Sequence, residues 1–462
     1  MKKIAVFCIP AHGHTNPLLP VVTELVSRGD QVRFYSFEEF REKIGKTGAQ
    51  FISCDRFLDE LSAKEEAGLK AVSTTEMTIQ DIRITMNMTG FLQEEFGMFR
   101  PDVVFSDSVC FWGKLSAWKY DVPLMVSTST FAFNRMSSGY MKQSPGEIVG
   151  LLTGLPRVNR ELKKLRKLGY KFKGLFSLIQ SDNVTDNIVY TSEKFQPYRE
   201  SFSDHYLFVG PSVFSDKQPE KNTGKPLIYI SMGTVINDRP DFYSKCIEAL
   251  KDEEVEVIIS CGKAVDIEEL GELPDNITVY PYVDQLDVLS RTSVFVTHCG
   301  MNSVSESLYM ASSMVFYPQT NEQEAVARRA FEIGAGEYLR DDSAEGIKKT
   351  VRTLLTDPKY LHAAEECSID FRSCVGIKGA CDFIESAPHV SDGVDVMAEL
   401  GKASLVNGVF YSLITVLLGI LLFQFIDRRF LWIYIVMAVL IGEPVKKAMQ
   451  KASYNRITRN LL

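Results

Sequence analysis

Short runs of apolar, often β-branched residues alternate along the chain with longer segments whose apolar residues recur every three to four positions. Residues 3–9 read as a buried strand, and Asn16 as the cap of a helix with Pro17 in its first turn and Gly29 at its end. A strand at 31–37, a helix near 38–46 and a strand at 50–54 complete a β-α-β-α-β series. That order implies a parallel sheet with right-handed crossovers. Further strands are expected at 102–106, 122–127, 187–191 and 206–209. Residues 211–226, rich in Pro, Lys and polar side chains, read as a linker. Beyond it the alternation resumes, with strands at 227–231, 255–260, 277–280, 293–297 and 314–317 and helical patterns at 343–356 and 358–386. The expected fold class is therefore α/β, with two Rossmann-like, doubly wound halves at 1–210 and 227–386 facing a cleft. Ligands of such sheets sit beyond the carboxyl ends of the strands.

After a second linker at 387–402 the pattern changes. Residues 405–426 carry no charge and are numerous enough to cross a bilayer as a helix. A second apolar run at 430–442 is shorter, about 20 Å as a helix. Residues 403–445 are expected to attach the chain to a membrane as a hydrophobic helix or helical hairpin. A hairpin turning at Asp427-Arg428-Arg429 keeps the basic tail 446–462 on the side of the folded halves, in line with the positive-inside tendency.

Composition refines this picture. The formal net charge is −8, yet residues 157–173 carry eight basic groups against Glu161 alone, and the chain from 427 onward is basic too. An acidic body with two basic concentrations gives no sign of nucleic-acid binding but suits an anionic membrane face. The basic stretch 157–173 is most simply a solvated helix; the sharper alternative is a flank that touches a membrane. Nine cysteines without CxxC spacing fit a reducing compartment better than a disulfide framework.

Residues 294–310, VFVTHCGMNSVSESLYM, hold the densest chemistry. A buried strand ends at His298, a glycine turn follows, and a helix starts at Asn302 or Ser303. The unpaired N–H groups and positive dipole end of that helix suit a phosphate or diphosphate. Gly300 permits close backbone approach, His298 can donate a ring N–H, and Glu306 is an acceptor of the kind that pairs with ribose hydroxyls. On the acceptor side, His12 and His14 lie in the loop AHGHTNP after the first strand, and Asp107 follows another strand. A neutral histidine held by a carboxylate is suited to take a hydroxyl proton near pH 7. Spacing alone does not show that these residues touch, and the bland alternative for Asp107 is a helix cap.

With these motifs the chain resembles the family-1 glycosyltransferases of GT-B fold, most closely their bacterial macrolide-glycosyltransferase branch. The likeness runs from PYVDQL (281–286) through THCGMNSVSES (297–307) to YPQTNEQ (317–323), with SMGT (231–234) as a second phosphate loop. It implies UDP-sugar binding by Ser231, Gly233, Thr234, Tyr282, Val283, Gln285, His298, Gly300, Asn302, Ser303, Glu306, Glu322 and Gln323. Within that set Tyr282 and Gln285 would serve the base, Glu306 the ribose, and Glu322 with Gln323 the sugar. Tyr282 replaces a frequent Trp, and Glu322 replaces an Asp of many plant members. The resemblance also chooses His14 as general base and Asp107 as its orienting partner.

The function so implied is inverting transfer of a hexose, glucose first among candidates, from a UDP-sugar to a hydroxyl of a hydrophobic small molecule or lipid. UDP-sugar is then a co-substrate rather than a cofactor, and no metal is expected, since the chain contains no Asp-x-Asp. The expected location is a bacterial cell membrane with the catalytic halves in the cytoplasm. A nucleotide-sugar epimerase of the same fold and a non-catalytic, membrane-anchored sensor of nucleotide sugars are the alternatives. Residues 74–99, with Met77, Met86, Met88, Phe91, Phe96 and Met98, either line an adaptable acceptor pocket or belong to the core.

Overall fold

The computed structural model describes residues 1–58, 74–141, 144–179, 182–213, 217–220, 224–234, 236–389, 452 and 454. The N-terminal half opens with β1 (Lys3–Phe7), α1 (His12–Ser27), β2 (Gln31–Ser36), α2 (Arg41–Gly45) and β3 (Gln50–Ser53). It continues through α3 (Thr74–Asn87), α4 (Thr89–Phe99), β4 (Val103–Asp107), α5 (Phe111–Tyr120), β5 (Leu124–Thr128), α6 (Pro145–Lys167), α7 (Phe176–Ile179), β6 (Asp186–Val189) and β7 (Tyr206–Phe208). Its strands are ordered β3-β2-β1-β4-β5-β6-β7. The C-terminal half runs β8 (Leu227–Ser231), α8 (Pro240–Leu250), β9 (Glu256–Ser260), β10 (Ile277–Tyr280), α9 (Gln285–Arg291), β11 (Thr292–Thr297), α10 (Met301–Tyr309), β12 (Ser313–Phe316), α11 (Asn321–Glu332) and β13 (Gly336–Tyr338). Helices α12 (Ala344–Thr356), α13 (Pro358–Ser373) and α14 (Gly376–Ser386) follow. The second sheet is ordered β10-β9-β8-β11-β12-β13. The registered pairings in both sheets are parallel, as the alternating sequence requires.

Helices cover both faces of each sheet, so central strands such as β4 and β8 are buried at every position. This is why both begin as apolar runs without the alternation of a half-exposed strand. Ile4, Val6, Val103 and Phe105 face one core of the first sheet, and Ala5, Phe7 and Val104 face the other. In the second sheet Ile228, Ile230, Val294 and Val296 oppose Tyr229, Phe295, Met314 and Phe316 in the same way.

Several expectations need correction. Helix α1 starts at His12, four residues before Asn16, with extended Ala11 at its cap and Pro17 and Pro20 in its interior. The Ala11 carbonyl accepts the His14 and Thr15 N–H groups at 3.1 and 2.9 Å, which closes the first turn without a side-chain cap. Pro17 lacks the N–H that would bond the Gly13 carbonyl, so that oxygen is left for another partner. Asp107 is the last residue of β4 rather than a residue beyond it, and α5 is capped by Cys110. The helical pattern at 358–386 is two helices, broken where Gly376 takes a φ of 64°. The second of them, α14, packs on α1 and places Ala380, Cys381 and Ile384 in a core of the N-terminal sheet. The chain therefore returns to its first half after completing the second.

The methionine-rich segment 74–99 does not act as one lining. Met88 and Phe96 are buried core residues and Met86 packs beside another core cluster, whereas Met77 and Met98 are 54% and 68% exposed. The apolar runs 405–426 and 430–442 lie outside the described residues, and among the described residues no helix is long and apolar enough to cross a membrane. A small second unit comprises Tyr198–Tyr206 and, among the described residues beyond 389, residues 452 and 454. Within it the Tyr454 hydroxyl donates to Glu200 at 2.8 Å, and its ring stands edge-on to Tyr198.

Candidate active site

The carboxyl ends of β1, β4 and β5 bring together residues far apart in sequence. The His14 ring Nδ1 lies 2.7 Å from Oδ2 of fully buried Asp107. The other oxygen, Oδ1, accepts the Val109 N–H at 3.0 Å, so the carboxylate is held from both sides. Ser129, just past β5, places its Oγ 3.1 Å from the same His14 nitrogen. With Nδ1 engaged, Nε2 is the nitrogen left for chemistry. Burial disfavours the imidazolium, but the Asp107 charge and hydrogen bond, with a smaller contribution from Glu322, outweigh it and raise His14 to about 9. His12 faces other partners: Lys43 at 3.3 Å, Glu39 at 3.2 Å and the edge of Phe40.

Behind this pair sits a buried charge that sequence reasoning missed. The Lys114 ammonium donates to the carbonyls of Ser108 and Leu178, tying the turn after Asp107 to α7. Burial lowers Lys114 to about 8, against the attraction of Asp107, and burial together with the Asp107 charge raises nearby Asp81 to about 8.

On the opposite wall, β11 ends and the chain turns sharply into α10. Cys299 adopts a φ of 68°, rare for a residue with a side chain, and its N–H is tied to Thr297 Oγ1 at 3.1 Å. Extended Gly300 then caps the helix without a side chain, leaving the first N–H groups of α10 unpaired by any cap. The His298 ring lies between two glycine turns. A Cβ on Gly233 would come within 2.5 Å of it, and one on Gly300 within 2.6 Å. Gly233 also needs its φ of 79°. Burial lowers His298 to about 4, so the ring is neutral at pH 7 and can donate an N–H without carrying charge.

Other expected donor residues are placed as follows. Gln285 donates to Glu306 Oε2 at 2.7 Å and to Ser303 Oγ at 3.4 Å, and accepts from the Tyr229 hydroxyl at 3.4 Å. Two groups read separately in the sequence thus form one network, and burial raises Glu306 to about 7 despite the Gln285 bond. Tyr282 is 78% exposed, while its neighbour Val283 packs against the core. The Ser231 hydroxyl accepts the Gly233 N–H at 3.3 Å, and Thr234 is exposed. Thr320 caps α11 on the Gln323 N–H, the Gln323 side chain accepts the Gln319 N–H at 2.8 Å, and Glu322 is exposed. Among the described residues no cluster of three or more His, Cys, Asp or Glu side chains is arranged to hold a metal ion.

The two walls meet. Asn302 Nδ2, in the first turn of α10, donates at 3.3 Å to the Gly13 carbonyl that Pro17 left free. The turn that carries His14 is thereby joined to the helix end expected to receive a diphosphate.

Residues 218–369 match the sequence profile of the family described as "UDP-glucoronosyl and UDP-glucosyl transferase". The chain is 31% identical over 403 residues to the uncharacterized UDP-glucosyltransferase YojK of Bacillus subtilis, covering 84% of this chain and 98% of that protein. It is 32% identical to the NDP-glycosyltransferase YjiC of Bacillus licheniformis, covering 83% and 97% of the two chains, and 29% identical to the demethyllactenocin mycarosyltransferase of Streptomyces fradiae, covering 83% and 86%. Among solved structures, CalG4, the calicheamicin glycosyltransferase, superposes with a TM-score of 0.72 at 24% identity, over 84% of this chain and all of that one. This likeness shows the GT-B fold, with its two facing Rossmann-like domains.

Proposed function

Given that the chain belongs to the family of UDP-glucuronosyl and UDP-glucosyl transferases and is a glycosyltransferase, we propose that it transfers a hexose, glucose first, from a UDP-sugar to a hydroxyl of a hydrophobic small molecule or lipid, with inversion. His14 Nε2 takes the acceptor proton as the acceptor oxygen attacks the anomeric carbon. The bond from that carbon to the diphosphate breaks, and UDP leaves with its charge against the α10 N-terminus and the neutral His298 ring. Asp107 holds the ring and stabilises the imidazolium that forms. No step calls on a metal. The observation that carries this reading is the Asn302–Gly13 junction, which sets the His14–Asp107 pair beside the helix end of the donor box. Attachment to a bacterial cell membrane is supported by the charge-free run 405–426 and favours acceptors that dissolve in membranes, and a cytoplasmic place for the catalytic halves is supported by nine cysteines without CxxC spacing.

The test is to incubate the detergent-solubilised protein with several UDP-sugars and a mixed set of phenolic, macrolide and lipid acceptors, reading products by mass. His14→Ala should lower kcat by about 10²–10⁴-fold. Full transfer by that variant would remove His14 from its role. Epimerised UDP-sugar without acceptor product would overturn the transferase reading in favour of an epimerase.

A further inference from the structure

Helix α6 has two unlike faces. Its inner face, with Val158, Leu162 and Leu165 essentially inaccessible, packs on α3, and Gly154 sits so close that a Cβ there would meet Thr75 at 2.3 Å. Its outer face is a stripe at three- and four-residue spacing: Val149, Leu152, Pro156, Arg160, Lys163 and Lys167, all exposed. The stripe is about 27 Å long. Val149 and Leu152 stand 58% and 60% exposed at its apolar end, and the basic residues fill the other.

The acids nearby do not neutralise that basic end. Glu161 is buried and paired with Lys164 at 2.8 Å, Glu76 is taken by Arg157, and Glu147 is bound to the Ser144 N–H and Asn321. Arg160, Lys163 and Lys167 make no ion pair among the described residues. On a chain of net charge −8, such a stripe is poorly matched to a second copy of the same acidic protein. It matches a surface that offers negative headgroups above an apolar layer.

We propose that the outer stripe of α6 docks on an anionic lipid bilayer, with Val149 and Leu152 entering the headgroup–acyl boundary and Arg160, Lys163 and Lys167 bound to lipid phosphates. Docking would bring the N-terminal half to the layer in which a hydrophobic acceptor dissolves. That consequence rests on the proposed acceptor class; the docking itself does not.

The experiment reads docking without catalysis. Full-length protein and its Leu152→Trp variant are reconstituted in vesicles of brominated phosphatidylcholine, with or without phosphatidylglycerol, and indole emission is compared. The added indole should be quenched in the phosphatidylglycerol vesicles, less so in phosphatidylcholine alone, and less again at high salt. Each basic residue near an anionic surface is worth about fivefold in binding. Arg160→Glu, Lys163→Glu and Lys167→Glu together should therefore lower the docked-to-undocked ratio by about a hundredfold or more, with transfer to a short, water-soluble acceptor unchanged. Quenching that is absent with phosphatidylglycerol, or that survives the triple reversal, overturns the proposal. Should the triple variant fail to fold, the comparison of the two lipid compositions with Leu152→Trp alone still decides. Loss of transfer with intact quenching would count against the proposed reaction and leave docking standing.

Discussion

At His14 two opposing effects meet: burial favours the neutral ring, and Asp107 at 2.7 Å favours the charged one. The carboxylate wins, so the free enzyme holds the proton below about pH 9. A base must be neutral to act. The kcat/KM for acceptor should therefore rise with pH towards about 9, falling roughly tenfold per unit below it. Asp107→Asn removes what raises His14, so the acidic limb should move to lower pH while the maximal rate falls by on the order of 10²-fold; an unmoved limb would show that another group titrates. His298 carries the second residue-scale prediction. Gly233→Ala places a methyl 2.5 Å from its ring and strains a φ of 79°, so UDP affinity, read by calorimetry, should drop at least about tenfold. Affinity equal to the parent's would mean that the ring does not need its present position. His14, Asp107 and His298 were readable because each stands in a short motif. Ser129 and Lys114 were not, because only folding sets Ser129 beside His14 and Lys114 near Asp107. Ser129 left a faint signal, as a polar residue just past β5, whose Ser127 registers with Asp107.

Among the elements, strands were more legible than helix ends. A strand buried on both faces is mostly apolar, and the run 227–231 coincides with β8; the expected 277–280 coincides with β10, an edge strand buried at alternate positions. Helix starts depend on local hydrogen bonding that composition does not fix. Asn16-Pro17 looks like a start, yet the Ala11 carbonyl begins α1 earlier and leaves Pro17 inside. The 358–386 pattern hid its break at Gly376, since apolar periodicity continues through both helices. Nothing in that periodicity says which sheet a helix will cover. Helix α14 returns to the first sheet through Ala380, Cys381 and Ile384, and Arg28 pairs with Asp382 and Glu385 at its edge. Ile384→Ala should cost about 2–5 kcal/mol, read as a lowered urea midpoint, with the loss showing first in hydrogen exchange of α1. A change below about 0.5 kcal/mol would mean that α14 adds little to that core.

In the whole molecule, one described bond from Asn302 to Gly13 joins the turn bearing the proposed base to the proposed phosphate box. Asn302→Ala removes a bond worth about 0.5–1.5 kcal/mol. Acceptor kcat/KM should then fall by more than UDP affinity, both measured on one preparation; equal losses would assign Asn302 to the donor alone. The sequence by itself determined the alternating α/β order, the parallel sheets and the donor-box motifs. Each of these rests on residues close in the chain, where strand burial, glycine freedom and helix caps are local requirements. Only the tertiary structure decided that His14 touches Asp107, that Gln285 and Glu306 share a bond, and that the face of α6 carrying Val149, Leu152, Arg160, Lys163 and Lys167 is the outward one. Those relations depend on strand register and on which helix face meets which sheet. His14 and Asp107 lie 93 positions apart and Gln285 and Glu306 21, and the stripe on α6 turns outward because the opposite face of that helix meets α3, so the partner that decides each relation is distant in the chain.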